Sequence, residues 1–272
     1  MPLKLMYITN NPDIARIAED AGVDRIFVDM EFIGKDKRQG GLDTVQNHHT
    51  IEDIQNIRKV IKKAELLVRI NPIHEGYEGY MDTREEIDAA IEAGADVLML
   101  PYFSTPEEVE TFVKYVDGRA VTLPLLENAK AVERLDEILA VPGINQIHIG
   151  LNDLSMDLKR KFLFEILADG TVDQICEKIK KYDIPFGFGG FGQVGQGMIP
   201  AEMIIKEHYR LGSSCGILSR SFCNTSQITD IEAIRKIFQE GVKAIREYEE
   251  FCVEGFEENH EALRKKVEDI IR

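Results

Sequence analysis

Positive charge is scarce in this chain: 33 lysines and arginines stand against 48 acids, a net charge of −15 over 272 residues. An acidic excess of that size repels phosphate backbones and anionic bilayers, and no basic run offsets it, so neither nucleic acid nor membrane is expected as a partner. Cysteine is sparse as well. Cys176, Cys215, Cys223 and Cys252 show no CxxC spacing, and a chain this long has no need of disulfide staples, so they read as reduced structural thiols. No apolar run reaches transmembrane length, and the start MPLKLMYITNNP lacks the basic-then-apolar order of a secretory leader; a cytoplasmic protein is expected. No Pro/Ser-rich linker or low-complexity stretch divides the chain, which suits one domain over residues 1–272. What is present, 44% hydrophobic and 30% charged residues, is enough for a full-sized core.

Short apolar runs alternate with longer stretches of helical periodicity. Eight strands are expected, at Leu3–Ile8, Arg25–Asp29, Leu66–Ile70, Val97–Leu100, Val121–Leu126, Gln146–Ile149, Pro185–Phe188 and Cys215–Leu218. Each is too apolar for a half-exposed strand and suits a parallel sheet covered by helices. Between them, Thr83–Ala93 has Thr83 as a candidate N-cap and stops before Gly94, while Thr105–Val116 opens T-P-E-E with proline in the first turn. An eightfold βα alternation closes most simply as a (β/α)8 TIM barrel, with a doubly wound open sheet as the alternative. Residues 228–272 read as two long helices broken near Gly255. One of them exceeds what eight βα units require, and a surplus helix serves to cap the barrel or to dock on a neighbouring subunit, which implies a homo-oligomer.

In such a barrel chemistry sits at the carboxyl ends of the strands. The polar residues there are Asp29 and Glu31, Arg69 and Asn71, Glu127, Asn152 and Asp153, Gly187–Gly190, and Ser219 and Arg220. Glu127 ends AVTLPLLE and Asp153 ends QIHIGLND, one βα unit apart. Carboxylates on neighbouring strands about 4.8 Å apart can share one oxygen-loving divalent cation such as Mg²⁺, with further coordination positions left for water and substrate. Against this stands a helix N-cap for either acid. Arg69, closing ELLVR, can hold a carboxylate or enolate by paired hydrogen bonds, or form a structural ion pair with Asp29, Glu31 or Glu127. Gly189 and Gly190 belong to a glycine run expected to leave N–H groups free for an anion, or only to permit tight turns. His48 and His49, in GGLDTVQNHHT, are candidates for a general base, although Thr50 with Asp53 also resembles a capping box. His74, His148 and His208 read as packing residues.

Taken together, AGVDRIFVDMEF, LLVRINP, GADVLMLPYF, LLENAKAV and IHIGLNDLS make the chain resemble the metal-dependent pyruvate aldolases grouped with citrate lyase β subunits. The resemblance covers most of the barrel. It implies a phosphoenolpyruvate/pyruvate-type barrel in which Glu127 and Asp153 match the metal-binding acids and Arg69 matches the arginine that stabilises the enolate oxygen. It departs at Phe32, where the family commonly carries histidine directly after the acid. His48 or His49 is the expected substitute from the same loop, while Lys35 and Arg38 would signal a different substrate and proton path. Asn152 and Arg220 are the further candidate substrate contacts.

The expected reaction is reversible aldol cleavage of a 2-oxo acid to pyruvate and an aldehyde, with Mg²⁺, or Mn²⁺ or Co²⁺, and Arg69 stabilising the pyruvate enolate. Two alternatives remain open at this level. One is a citrate-lyase-like enzyme cleaving an acyl-CoA thioester; the other is a non-catalytic barrel that binds an oxo acid.

Overall fold

The computed structural model of the chain describes residues 1–35, 47–77 and 79–272. Eight parallel strands pair in chain order and β8 returns to β1, so the sheet is closed. They are β1 (Lys4–Ile8), β2 (Arg25–Asp29), β3 (Glu65–Arg69), β4 (Val97–Leu100), β5 (Val121–Leu126), β6 (Ile147–Ile149), β7 (Phe186–Phe191) and β8 (Cys215–Leu218). Side chains alternate across each strand, and both directions are apolar. Met6, Phe27, Leu67, Val97, Met99, Leu123, Leu125 and Cys215 fill the barrel interior. Their neighbours Leu5, Ile26, Leu66 and Leu98 join the layer beneath the helices. A sheet buried on both faces has no surface to spare for an open edge, and closure removes the edges altogether.

All eight expected strands form. The largest boundary difference is at β7, which runs on through Gly189 and Gly190 to Phe191 instead of stopping at Phe188.

The helices among the described residues are α1 (Pro12–Asp20), α2 (Ile51–Val60), α3 (Thr83–Glu92), α4 (Pro106–Val116), α5 (Ala129–Glu133), α6 (Leu135–Leu139), α7 (Leu151–Asp157), α8 (Glu165–Ala168), α9 (Thr171–Lys180), α10 (Ala201–Leu211), α11 (Ile231–Glu249) and α12 (Phe256–Ile271). Thr105 caps α4 in a reciprocal box with Glu108, and Thr50 caps α2 with Asp53. For α3 the cap is Asp82 rather than Thr83: its carboxylate accepts the Glu85 N–H at 2.9 Å, and Glu85 reaches back to the Asp82 N–H. Thr83 then falls in the first turn, where its hydroxyl donates to the His74 carbonyl at 3.1 Å.

α11 is the barrel's eighth outer helix and lies against α1. The chain reverses at Gly255, whose φ of +68° suits glycine, and α12 lies on α10 and α8 of the same barrel, burying Leu263 and Val267. Glu207 on α10 fastens it: this fully buried carboxylate accepts from Asn259 Nδ2 and His260 Nδ1, both at 2.9 Å, and from Arg210 Nε at 2.8 Å. The surplus helix therefore covers the flank of its own barrel. Among the described residues, no helix is long and apolar enough to cross a membrane.

Candidate active site at the carboxyl ends of the strands

The parallel register of β2 and β3 sets Asp29 directly beside Arg69 at the mouth. The guanidinium meets the carboxylate as a fork, Nε to Oδ1 at 2.8 Å and Nη2 to Oδ2 at 2.7 Å, so that the Nη1 N–H groups and the second N–H of Nη2 lie outside the fork. Glu31 Oε2 lies 3.4 Å from Arg69 Nε and 3.4 Å from Lys35 Nζ, and Lys35 Nζ donates to Asp29 at 3.0 Å. Two acids and two cations are thus interlocked where water is largely excluded. Burial works against the charge on Asp29, but Arg69 and Lys35 outweigh it and hold the carboxyl well below the usual carboxylate range. Burial likewise opposes the charge on Arg69, and Asp29, Glu31 and Glu127 more than offset it, driving its pKa higher still. The structural ion pair expected as the competing role of Arg69 is present, and the same pair fixes the guanidinium at the mouth. Arg38 lies outside the described residues.

Asn71 and His49 secure the segment after β2. Asn71 Oδ1 accepts the N–H groups of Phe32 and Ile33, each at 2.9 Å, and its Nδ2 donates to buried Glu86 at 2.8 Å. Phe32, in the place where histidine was expected, packs edge-on against Tyr80 with ring centroids 5.1 Å apart. His49 Nδ1 accepts the Asp29 backbone N–H at 2.9 Å and Asn47 Nδ2 donates to Asp29 Oδ2 at 3.0 Å, whereas His48 is exposed. Of the two histidines, His49 is the one tied into the cluster.

Across the mouth, Glu127 follows β5. It is 3% exposed and its Oε1 accepts the Tyr102 N–H at 2.9 Å. Tyr102 occupies the left-handed region (φ 49°), a costly conformation for a tyrosine that aims this N–H at the carboxylate. The N-cap role considered for Glu127 belongs to Asn128, whose Oδ1 accepts the Ala131 N–H at 2.9 Å. Asp153 is not at a strand end: β6 stops at Ile149, and Asp153 lies in the first turn of α7, its Oδ1 accepting from Asn152 Nδ2 at 3.1 Å. Asn152 itself is exposed. Gly150 sits between the two acids in sequence, and a Cβ there would come within 2.9 Å of Glu127 Cβ and 3.2 Å of its Oε2. Any side chain at position 150 would crowd that carboxylate. Neither Tyr102 nor Gly150 was found by strand-end reasoning; the only signals were a Pro–Tyr pair after β4 and a glycine directly after β6.

Gly189 and Gly190 are part of β7 rather than of a loop beyond it. A Cβ on Gly189 (φ +45°) would lie 2.5 Å from Leu151 Cδ1, and one on Gly190 would lie 2.8 Å from the Ile217 carbonyl oxygen, where the register with β8 shifts. Close packing is why these glycines stand there. Arg220 is exposed in the turn after β8 and lines a cleft of about 250 Å³ with Tyr7, Ile8, Asn47, Ser219 and Thr225. Of the three histidines read as packing residues, His148 and His208 are buried, and His74 is half-buried with its ring beside Tyr80. His148 Nε2 donates to the Gly189 carbonyl at 3.3 Å, and His208 is stacked on Phe188 with centroids 3.8 Å apart.

Among the described residues no cluster of three or more His, Cys, Asp or Glu could enclose a metal ion. A closed structural zinc site is therefore not what these residues build. Glu127 after β5 and Asp153 in the first turn of α7 are oxygen donors of the kind a hard ion such as Mg²⁺ takes while keeping water and substrate oxygens as its other ligands.

A closed parallel barrel with acids, an arginine and a lysine gathered at its mouth is a class of enzyme scaffold. Comparison with known proteins narrows it: the sequence model of the HpcH/HpaI aldolase/citrate lyase family matches residues 4–164, and the chain belongs to that family. Membership indicates a lyase-type enzyme. Among solved structures, an HpcH/HpaI aldolase from Desulfitobacterium hafniense superposes with TM-score 0.59 at 21% identity, covering 94% of this chain and 95% of that one. A family protein from Burkholderia cenocepacia gives TM-score 0.63 at 16% identity over 86% and 95%. A citrate lyase β subunit from M. tuberculosis, complexed with oxaloacetate and magnesium, gives TM-score 0.54 at 15% identity over 88% and 97%. At these identities the likeness is one of fold. A pyruvate kinase from Methylorubrum extorquens is 31% identical over 75 residues, which are 28% of this chain and only 15% of that enzyme.

Proposed function

We propose that the protein is a metal-dependent aldolase that cleaves a 2-oxo acid to pyruvate and an aldehyde. The observation that carries this reading is the fixed guanidinium of Arg69, which feels the Glu127 carboxylate across the mouth, with Asp153 following β6 in the first turn of α7. Glu127 and Asp153 would hold the ion, Mg²⁺ in first place and Mn²⁺ or Co²⁺ in its stead. A divalent metal is also what the M. tuberculosis citrate lyase β subunit was found with. When bound, the ion supplies a Lewis acid for the carboxylate and keto oxygens of the substrate.

The chain's own contribution starts with Arg69, whose Nη1 is assigned to the enolate oxygen. Asp29 keeps the guanidinium in place and charged, so it does not have to reorganise as negative charge develops. Tyr102 fixes Glu127 through its N–H, and Asn152 sets the Asp153 carboxylate. The segment after β2, with His48 and His49, is assigned to the 4-hydroxyl end of the substrate, and Arg220 in the cleft to its far end. Gly189 and Gly190 are assigned only the shape of the wall they form between β7, β8 and α7. The exposed Phe251 and Val253, in the turn between α11 and α12, are the apolar surface we assign to a homo-oligomer contact.

The test is exchange of pyruvate α-protons into D₂O, followed by NMR with Mg²⁺, Mn²⁺ or Co²⁺ added and then removed by a chelator. Metal-dependent exchange is the expected result. Absence of exchange with every metal would overturn the aldolase. Turnover that then required coenzyme A would establish the acyl-CoA lyase instead, and ligand binding without turnover would establish an oxo-acid-binding barrel, the reading that Phe32 in place of histidine favours.

A further inference from the structure

The ring of His49 is engaged on one side in a way that decides what the other side can do. Past the end of β1, the outer edge of β2 has no strand to pair with, and His49 takes the strand's place. Its backbone N–H donates to the Asp29 carbonyl at 3.3 Å, and its Nδ1 accepts the Asp29 backbone N–H at 2.9 Å. A backbone N–H can only donate, so Nδ1 must present its lone pair and carries no proton. In the neutral ring the single proton then resides on Nε2.

We infer that His49 serves the reaction as a fixed hydrogen-bond donor through Nε2–H and not as its general base. The inference rests on the aldolase reading and refines it. A base must offer a lone pair to the substrate proton, and here the lone pair is spent on Asp29. A donor needs only the N–H, whose partner would be the 4-oxygen as it turns from hydroxyl to aldehyde and gathers charge. No bond to His49 forms or breaks, and the proton of the hydroxyl passes to a water molecule as the C–C bond breaks. The surroundings favour the neutral ring. Burial lowers its pKa, Asp29 and Asp53 push it back up, Lys35 and Arg69 lower it again, and the balance lies below the ordinary histidine value. A neutral imidazole as hydrogen-bond donor has precedent in general enzymology, where a lowered pKa keeps the electrophile uncharged. His48, exposed beside it, has no such tie to the strand.

The experiment pairs two readouts. Imidazole ¹⁵N NMR of the full-length protein needs no substrate; the expected spectrum shows His49 as one neutral tautomer, Nε2 protonated and Nδ1 bare, from pH 6 to pH 8. In turnover assays, His49→Asn keeps an acceptor for the Asp29 N–H and loses the donor, so kcat/KM should fall roughly 100-fold with the shape of its pH profile unchanged. His49→Gln places an amide N–H near where Nε2 stands and should recover a large part of that loss. An Nδ1-protonated ring, an acidic limb of the rate profile that disappears in His49→Asn, or full activity in that variant would each overturn the donor role. The aldolase reading fails separately, through absence of pyruvate exchange in the unsubstituted protein.

Discussion

The strands β2 and β3 carry an arginine–acid pair at each end, with polarity reversed: Arg25 beside Glu65 at the amino end and Asp29 beside Arg69 at the mouth. Both arginines donate to their acid at about the same length, Nε to Glu65 at 2.7 Å and Nε to Asp29 at 2.8 Å. Their surroundings differ. Arg25 is completely buried, reaches across the barrel floor to Gln146 at 2.8 Å and leaves Nη2 without a partner. Arg69 is 15% exposed and shares its acids with Lys35. The first pair closes the barrel and the second faces the opening. Cavity size points the wrong way here. The larger cavity, about 780 Å³, lies at the amino end beside Glu65 and Gln146, and the mouth cleft holds about 250 Å³. What distinguishes the mouth is charge that is fixed in place and still reachable, since a (β/α)8 barrel gathers the ends of all eight strands there.

The comparison breaks most sharply at Glu127 and Asp153, the acids across the mouth. Replacing Glu127 by Gln or Asp153 by Asn should cut kcat for pyruvate release by roughly 10³-fold or more while the circular dichroism spectrum is retained, because the Lewis-acid contribution amounts to several kcal/mol. Turnover within tenfold of normal in either variant would remove the metal assignment. Next come the arginines themselves. Arg69→Lys keeps the charge but loses the fork and should lower kcat/KM about 100-fold with little loss of stability. Arg25→Met should do the opposite, leaving kcat/KM within about threefold and costing about 2 kcal/mol in urea unfolding. The cost is limited because Glu65 is partly exposed and keeps Lys4 at 3.1 Å. Equal kinetic effects of the two changes would erase the distinction between the barrel's ends.

Much of this contrast was legible in the sequence, and the reasons are local. β2, β4, β5 and β8 begin and end where the apolar runs do, since a strand buried on both faces needs an unbroken run and a polar residue ends it. Thr50 with Asp53 was readable because a capping box involves residues only three apart, and α4 because its proline stands in the first turn. Asp153 was placed one element too early: a helix following directly on a three-residue strand leaves no turn signal between them. Gly189 and Gly190 were misplaced because glycine marks a loop in sequence, while here Leu151 and the Ile217 carbonyl crowd them from outside the strand. Such contacts come from residues dozens of positions away, and no local pattern records them. The tie between His49 and the Asp29 N–H is of the same kind, and so is the strained Tyr102.

Between the two arginines lies His148, wholly buried in β6. Burial, together with the positive charge of Arg25 and Arg69, lowers its pKa to about 4 against the Gly189 hydrogen bond, and burial takes His208 to about 3. Both folded values lie below the ordinary 6.5, so on acidification the unfolded chain takes up protons that the folded chain refuses. Stability is therefore whole above about pH 6.5 and declines as the pH falls toward 4. At pH 5 the loss should be about 2 kcal/mol for each histidine. Asp29 loses its stabilising ion pairs only at still lower pH, its folded value being depressed from an already acidic one. Urea unfolding at pH 7 and pH 5 should show the decline, and His208→Asn should remove about half of it. An unchanged slope in that variant would mean that the ring is protonated in the folded state.

The smallest expected effect lies in the larger cavity. Lys62 and Lys63 line it with exposed side chains, and their backbone N–H groups are held at 2.7 and 2.6 Å by Glu19. The loop is thus fixed by its main chain and does not depend on the lysine ammonium groups. Reversing both charges, Lys62→Glu with Lys63→Glu, should leave kcat/KM within twofold and stability within about 0.5 kcal/mol. A substantial loss of activity would show that the amino end of the barrel communicates with the mouth, and Arg25, which spans the floor from Glu65 to Gln146 and bears electrostatically on His148, would be the side chain through which it does so.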